Sequence, residues 1–124
     1  MAIALEAKKA LTSLNLPGLD VIYANGLPAD PSPLIHKTVG LVTEVGFQFV
    51  TPGGNDWHER EDEIQVQVFY GIGAKVDPDD LEMKIIRGLK AQGYRVASGN
   101  APHTVDPDTK QFTATYKFMK TKGS

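Results

Sequence analysis

Apolar and polar residues alternate along the stretch EDEIQVQVFY, which occupies Glu61–Tyr70. Successive side chains of a β-strand point to opposite faces, so this pattern predicts a half-buried strand. The residues expected to face the core are Ile64, Val66, Val68 and Tyr70. Those expected to face away from it are Glu63, Gln65, Gln67 and Phe69. One face of this strand should therefore belong to the core, while the other is mostly polar.

The next stretch, KVDPDDLEMKIIRGLKAQG, predicts an amphipathic helix. Asp77 is suited to the N-cap and Pro78 to the first helical position, and Gly93 closes the C-terminus. The predicted apolar stripe consists of Leu81, Ile85 and Leu89, supported by Met83 and Ile86. Lys84, Arg87 and Lys90 are expected to face solvent.

The remaining elements follow from the same two periodicities. An N-terminal helix that ends before Pro17 has an apolar stripe formed by Ile3, Ala7, Ala10, Leu11 and Leu14. Further strands are predicted over 19–25, 38–49, 94–100 and 112–122, with a turn over 103–110 before the last. In the strand over 38–49, one face is expected to hold Val39, Leu41, Val45, Phe47 and Phe49, with Gly40 and Gly46 allowing bends or bulges.

The predicted order is α-β-β-β-α-β-β, which is typical of an α+β fold. We expect a mainly antiparallel sheet with two helices on one face, because each strand has one apolar side to cover. A length of 124 residues corresponds to one domain spanning residues 1–124. A domain of this size leaves much of its surface exposed, so association with copies of itself is expected.

Charge and composition exclude several classes of protein. The net charge is −2, without the basic patch of a free nucleic-acid binder. The absence of cysteine excludes disulfides and thiolate chemistry, and no apolar run is long enough to cross a membrane. Charged residues such as Glu6 interrupt the N-terminal apolar stretch, so we expect a soluble cytoplasmic product rather than a secreted one.

The stretch VTPGGNDWHERED breaks the strand pattern and predicts a flexible loop around residues 50–62. It contains Trp57, the single tryptophan of the chain, among charged neighbours. Trp57 either folds back onto a strand edge or contacts another subunit, since tryptophan is enriched in interface hot spots.

No catalytic, cofactor-binding or metal-binding residues emerge, and we do not expect an enzyme. The two Asp-Pro-Asp sequences, at 77–79 and 106–108, are explained by capping and turn chemistry. The cluster of His58, Glu59, Glu61 and Asp62 has a single histidine, which favours a solvated loop over a metal site. His36 and His103 stand isolated in the sequence, and Gly71-Ile-Gly73 lacks the rest of a nucleotide-binding loop.

At the level of pattern, the chain resembles the small tail-terminator or tail-completion proteins of long-tailed bacteriophages and prophages. The resemblance covers nearly the whole chain. The features that carry it are LNLPGLDVIYANGLP, EIQVQVFYG, VDPDDLEMKIIRGL, the pair Gly93-Tyr94 and DPDTKQFTATYKF. It implies an α+β structural protein that needs no catalytic residues and no cofactor.

The resemblance also implies partners and a location. Subunits of such proteins form a ring, usually hexameric, which caps the tail tube, ends its growth and offers a surface to the head-completion or neck protein. DNA passes through as cargo, no membrane is involved, and the protein moves from the host cytoplasm into the virion tail.

Two sets of residues are candidates within this interpretation. The residues expected to contact another subunit or the tail tube are Trp57, His58, Glu59, Arg60 and Glu61. Those that could line the channel are the acidic residues Glu59, Glu61, Asp62 and Glu63. Three alternatives stay open: a neck or head-completion protein, a peptide-binding module that uses a free sheet edge, and, least supported, a metal-dependent enzyme built around His58.

Overall fold

The computed structural model describes residues 3–29, 34–49, 59–98, 103–108 and 110–123. Its elements, in chain order, are α1 (Ile3–Thr12), β1 (Val21–Ala24), β2 (Val39–Phe49), β3 (Glu59–Phe69), α2 (Pro78–Ala91), β4 (Tyr94–Ser98), β5 (His103–Val105) and β6 (Phe112–Gly123). The predicted α+β class is confirmed. The short strand β5 was not predicted, since its three residues fall within the stretch interpreted as a turn.

The strands form one sheet in the order β1-β2-β3-β6-β4, and β5 pairs with β6 beside β4. All pairs are antiparallel except β1 with β2, which run parallel. The longest ladder joins β3 to β6, from Glu59 opposite Gly123 to Phe69 opposite Thr113. These two strands therefore form the centre of the sheet, and both helices pack on one of its faces.

The core lies between the helices and the face of β3 that alternation predicted. Ile64, Val66 and Val68 are each at most 1% exposed. They pack with Leu11 of α1, Leu89 of α2 and further residues of the same cluster. Because directly opposed residues of paired strands share a face, Ala114, Tyr116 and Phe118 of β6 also point to the helices. None of the helices in the described part of the chain is long and apolar enough to cross a membrane.

Helix α2 begins and ends where capping chemistry predicted. The Asp77 side chain accepts a hydrogen bond from the Asp79 backbone N–H at 3.1 Å, and Pro78 occupies the first position. Gly93 follows with a φ of 96°, a conformation that suits glycine. The predicted stripe of Leu81, Ile85 and Leu89 is buried.

One member of the predicted α2 stripe is wrong. Met83 is 45% exposed, whereas the neighbouring Glu82 is 3% exposed. At 100° per residue, Glu82 lies on the same side as Leu81 and Ile85, and Met83 turns away from it. A charged residue therefore occupies part of the core face of this helix.

The predicted single face of β2 is also wrong. The pairing of β2 with β3 shifts between Glu44 and Gly46, so the strand contains a bulge at Val45. Before the bulge, Leu41 opposes Gln67 on the helix-free face, and after it Phe47 opposes Asp62 on the helix face. Val39 and Leu41 are buried, yet they lie outside the core cluster.

The boundary of the predicted loop changes as well. Residues 59–62 belong to β3, because each is paired with a residue of β6, and they are therefore strand rather than loop. Residues 50–58 lie outside the described residues. The end of the sheet at which β2 finishes and β3 begins is called the hairpin end below.

Gly71, at the opposite end of β3, packs closely against the backbone of His36 and Lys37. A Cβ atom there would lie 2.6 Å from the carbonyl carbon of His36. Its N–H donates to Thr38 Oγ1 at 3.2 Å. The glycine predicted as a strand-end bend is thus required for the close approach of two chain segments.

Candidate functional site

The helix-free face of the hairpin end carries a charged network. An ion pair joins Arg95 Nη2 on β4 to Glu61 Oε2 on β3. Gln48 Nε2 on β2 donates to Glu61 Oε1 at 3.3 Å, and Arg95 Nη1 donates to Thr121 Oγ1 on β6 at 3.2 Å. Side chains therefore join four strands across this face.

These contacts determine the charge of Glu61. Hydrogen bonds from Arg95 and then from Gln48 hold the pKa of its carboxyl below the ordinary value. Glu61 is consequently ionised at neutral pH, and Arg95 offsets its charge. Glu63 has the same orientation two residues along β3, but no ion pair to it occurs among the described residues. Glu63 contributes the less compensated negative charge.

The other face of the hairpin end holds Arg60, Asp62 and Phe47. Arg60 Nε lies 2.6 Å from Asp62 Oδ1, and Arg60 Nη2 donates to Asp62 Oδ2 at 3.1 Å. The guanidinium carbon of Arg60 lies 5.4 Å from the centroid of the Phe47 ring, a cation–π arrangement. Phe47 is nevertheless 56% exposed. The exposed Phe47 ring and the Arg60 guanidinium beside it thus lie together at this end of the sheet.

Asp62 does not belong with the acidic residues that could line a channel. It is 2% exposed and lies on the helix side of the sheet, since strand alternation separates it from Glu61 and Glu63. Its ion pair with Arg60 accounts for a buried carboxylate at this position. Of the predicted channel residues whose side chains the structure describes, Glu61 and Glu63 keep an accessible, helix-free orientation.

The other residues predicted for this site are placed only in part. Trp57 and His58 lie outside the described residues, as does the side chain of Glu59. Arg60 and Glu61 are adjacent on β3 but face opposite sides of the sheet. Alternation therefore places these two predicted contact residues on different surfaces.

A second cluster surrounds Glu82, at the opposite end of β3. Tyr70 Oη donates to Glu82 Oε2 at 2.7 Å, and Tyr116 Oη donates to Oε1 at 2.5 Å. His103 Nε2 lies 2.7 Å from Oε1 and 2.9 Å from Oε2. Because a carboxylate only accepts hydrogen bonds, Nε2 must carry the hydrogen. Tyr70, which directly follows β3, and side chains of β5 and β6 are thereby joined to α2 through one carboxylate.

The tyrosines of this cluster are held in their neutral form. Burial, followed by the hydrogen bond to the Glu82 carboxylate, raises the pKa of Tyr70 and of Tyr116 well above the ordinary value. Protonated hydroxyls are what the carboxylate needs as donors. The arrangement links α2 to the sheet, because one carboxylate accepts hydrogen bonds from three donors among the described residues.

The prediction that His103 is isolated is wrong, and Glu82 was missed. Both errors share a cause: Glu82 and His103 are 21 residues apart and meet only through folding. A signal was present, since Tyr70 and Tyr116 both fall on the core parity of their strands. A buried tyrosine hydroxyl requires a hydrogen-bond partner, and Glu82 is the carboxylate on the inner side of α2.

The chain was compared with known protein families. The family described as Protein of unknown function (DUF806) matches residues 4–122. No curated protein matches the chain.

Proposed function

We propose that this chain, which belongs to the family DUF806, is a structural protein of the bacteriophage tail. In this proposal its copies form a ring, of which a hexamer is the expected size, that caps the tail tube. The ring ends tail elongation and provides the surface to which the head attaches. The resemblance described above motivates the proposal. The observation that carries it is a sheet with helices on one face and a mostly polar, partly exposed opposite face.

The sheet supports a structural role because the face that forms the core is different from the face that is open to contacts. The helices cover one face, while the helix-free face of β3 remains partly exposed and mostly polar along Glu61–Gln67. Alternation keeps the core on one side only, so the other is available to a partner without unfolding. A mostly polar face of this kind suits contacts that form late, after the subunit has folded.

The proposed partners are other copies of the chain, the major tail tube protein and the head-completion or neck protein. A ring requires a heterologous contact, in which one surface of a subunit meets a different surface of the next. The protein would assemble in the host cytoplasm and remain in the virion tail. No step of this role calls for a catalytic group or cofactor.

Passing DNA is the remaining partner in this proposal. A channel lined by carboxylates repels the phosphate backbone, so DNA slides without binding. Glu61 and Glu63 are the residues assigned to this lining, since both point away from the helices. A ring structure with a channel wall made mainly of lysine and arginine would contradict the assignment.

Electron microscopy of phage lysates with the gene disrupted tests the proposal. We expect tails of irregular and excessive length beside unattached, DNA-filled heads, with both defects corrected by the wild-type gene supplied in trans. Tails of normal length that fail to join heads would instead establish the neck or head-completion alternative. Intact infectious particles would overturn the proposal in either form.

A peptide-binding module is a second candidate, favoured by strand β1. Its sequence VIYA contains no charge and no proline, and within the described residues it pairs only with β2. Unprotected edges of this kind accept an added strand. A stable monomer that binds one peptide saturably, with loss of binding on Tyr23→Pro, would favour this function over the ring.

A further inference from the structure

The sheet has two edges whose strands lack an outer neighbour among the described residues. Strand β1 forms one edge and pairs only with β2. The other edge consists of β4 and β5, which both pair with β6. At ~4.8 Å per strand, the order β1-β2-β3-β6-β4 separates the two edges by roughly 19 Å. A contact between them must therefore join two copies, and it is heterologous because the two edges differ.

The backbone of β5 directs hydrogen-bonding groups away from β6. The Asp106 N–H donates to the Gln111 carbonyl oxygen at 2.8 Å. In an antiparallel pair, residues bonded to the neighbouring strand alternate with residues whose N–H and C=O point away from it. Counting back from Asp106, Thr104 bonds to β6, whereas the backbone groups of His103 and Val105 point to the outer edge. Strand β5 thus offers two alternate residues to an added strand.

The same count applies to β1. The Asn25 N–H donates to the Val42 carbonyl oxygen at 2.8 Å, where the parallel ladder ends. Alternation then directs the backbone groups of Ile22 and Ala24 away from β2. Within the sheet, β5 runs opposite to β1. Copies that share a strand direction and a helix side therefore bring β5 beside β1 as an antiparallel pair.

Matching the outward residues of both strands gives one register. Ile22 opposes Val105 and Ala24 opposes His103, which makes two hydrogen-bonded pairs between copies. The Ile22 side chain packs against the core on the helix side. Val105 opposes Phe112 on the helix side of β6. Both side chains therefore lie on the same side of the joined sheet, as strand pairing requires.

An apolar cleft beside β1 provides a place for the Val105 side chain. The cleft has a volume of about 470 Å³ and lies between α1 and β1. Its apolar lining includes Leu11, Leu16, Leu19 and Ile22. Val105 is 58% exposed in a single copy, and in this register it stands beside the cleft. The contact would remove an apolar side chain from water, which favours association.

Charge supports the same pairing. Lys8 of α1 lines the cleft. Asp79 lies in the first turn of α2, three residues before Glu82, which contacts His103 of β5. Within the described part of the chain, neither Lys8 nor Asp79 takes part in an ion pair. A basic group beside β1 and an acidic group beside β5 are complementary, which orients association.

From these observations we infer that β5 of one copy adds to β1 of a second copy as an antiparallel strand, with Val105 entering the cleft between α1 and β1. The inference rests on the proposed ring and names the subunit contact within it. The second copy occupies the edge that a peptide would use in the alternative function. Because the sheets join with their helix sides in common, Glu61 and Glu63 of every copy lie on the same side of the joined sheet.

Cysteine cross-linking tests the register directly, because the chain contains no cysteine of its own. In this register Tyr23 opposes Thr104 as a non-hydrogen-bonded pair, with Cα atoms ~4.5 Å apart, a distance that a disulfide spans. Tyr23→Cys and Thr104→Cys are prepared as separate proteins, mixed and oxidised. We expect about tenfold more disulfide-linked dimer than from Tyr23→Cys mixed with Met83→Cys, since docking raises the effective concentration of the paired thiols. Met83 is the control position, exposed on α2.

Two results would contradict the inference. The Tyr23→Cys and Thr104→Cys mixture could cross-link no better than the control mixture, which would mean that the two edges do not meet. Alternatively, Thr104→Cys alone could dimerise as well as the mixture, which would indicate a symmetric contact between two β5 edges.

A substitution at Val105 tests the cleft in the same cysteine background. Val105→Lys in the Thr104→Cys protein places a second cation beside Lys8 and is expected to lower the cross-linked yield about tenfold. Lys8→Glu in the Tyr23→Cys protein should then recover most of the yield. Val96→Lys is the matched control, since Val96 is 41% exposed on the neighbouring edge strand β4, and it should leave the yield unchanged. Equal losses from Val96→Lys and Val105→Lys, or no recovery with Lys8→Glu, would show that Val105 does not enter this cleft.

The contact and the proposed function fail in different ways. Specific cross-linking together with intact particles from the gene disruption would retain the edge-to-edge contact and remove the tail role. Overlong tails from the disruption together with control-level cross-linking would retain the tail role and remove this contact.

Discussion

Glu82 and Glu61 are both well-bonded carboxylates, but their surroundings are opposite. Glu82 is 3% exposed and accepts from neutral tyrosine hydroxyls and a histidine, whereas the Glu61 side chain is 18% exposed and pairs with the Arg95 guanidinium. When a buried acceptor is removed, its donors are left where water replaces it poorly. When a surface ion pair is broken, water solvates the remaining partner. The Glu82 cluster therefore stabilises the fold, whereas the Glu61 network mainly determines the charge of the surface.

The largest effect is expected on removing the Glu82 carboxylate. Glu82→Leu leaves the Tyr116 hydroxyl and the His103 N–H without this acceptor and leaves the Tyr70 hydroxyl with only the Pro78 carbonyl oxygen, at 3.3 Å. The free energy of unfolding should fall by about 2 to 4 kcal/mol. Urea denaturation measures this loss. Met83→Leu, at the exposed neighbouring position, should stay within about 0.5 kcal/mol of wild type. A loss below about 1 kcal/mol for Glu82→Leu would show that the cluster contributes little.

Alkaline pH should destabilise the fold through its buried tyrosines. Unfolded tyrosines ionise near a pKa of about 10, whereas burial raises the pKa of Tyr94 to about 12 and that of Tyr70 and Tyr116 further. The unfolded chain then binds fewer protons than the folded one, so stability is complete below pH ~10 and falls as pH rises above it.

Urea midpoints measured from pH 8 to pH 11 test this sign. We expect a constant midpoint up to about pH 9.5 and a decline above it. Tyr116→Phe should make the decline shallower, because it removes one group whose pKa differs between the two states. A midpoint that rises with pH in this range would contradict the raised tyrosine pKa values.

The exposed carboxylate that begins α2 should have an intermediate effect. Asp77→Ala removes the acceptor for the Asp79 N–H and should cost about 1 kcal/mol. Asp80→Ala, which loses only an exposed ion pair with Lys84, should change stability by less than about 0.5 kcal/mol. Equal denaturation midpoints for the two variants would count against the cap.

The smallest effect on stability is expected at the hairpin end. Arg95→Met should raise the pKa of Glu61 towards its ordinary value of about 4.3, since the strongest hydrogen bond to the carboxylate is lost. In wild type, this pair contributes stability above that ordinary pKa and loses it as pH falls through the lowered one. Carbon-detected NMR titration of Glu61 measures the shift, with Lys84→Met as control. An unchanged midpoint in Arg95→Met would assign the lowered pKa to another cause.

Sequence alone predicted the elements whose signals are local. The alternation in β3 and the Asp77-Pro78 start of α2 each involve neighbouring residues, and both are confirmed. The face of Phe47 was wrong because a bulge depends on how β2 pairs with β3, which residue spacing does not encode. The Glu82 cluster was missed for a related reason, since its three donors lie 12, 21 and 34 residues from Glu82 and meet it only through folding.

The surface network was partly predictable. Glu63 was predicted on the polar face of the strand, whereas Glu61 and Asp62 were assigned to the loop around residues 50–62. Glu61 and Glu63 lie on the helix-free face and Asp62 on the other, a distinction that needed β3 to extend through residues predicted as loop. Arg95 was not anticipated, because β4 reaches β3 only across β6. Strand order determines which charged residues pair across a sheet, and the sequence does not give that order.

The bulge in β2 has a consequence for how the chain can vary. Val45 is the residue that the pairing with β3 skips, so it could be deleted without moving any other side chain of β2 to the opposite face. A deletion at Thr43 would instead invert the faces of its neighbours. Because a bulge bends its strand and increases the local twist, Val45 controls the angle at which the hairpin leaves the sheet. Loss of the residue at this position can therefore change the direction in which the hairpin end points while the pairing of β2 with β3 before the bulge is unchanged.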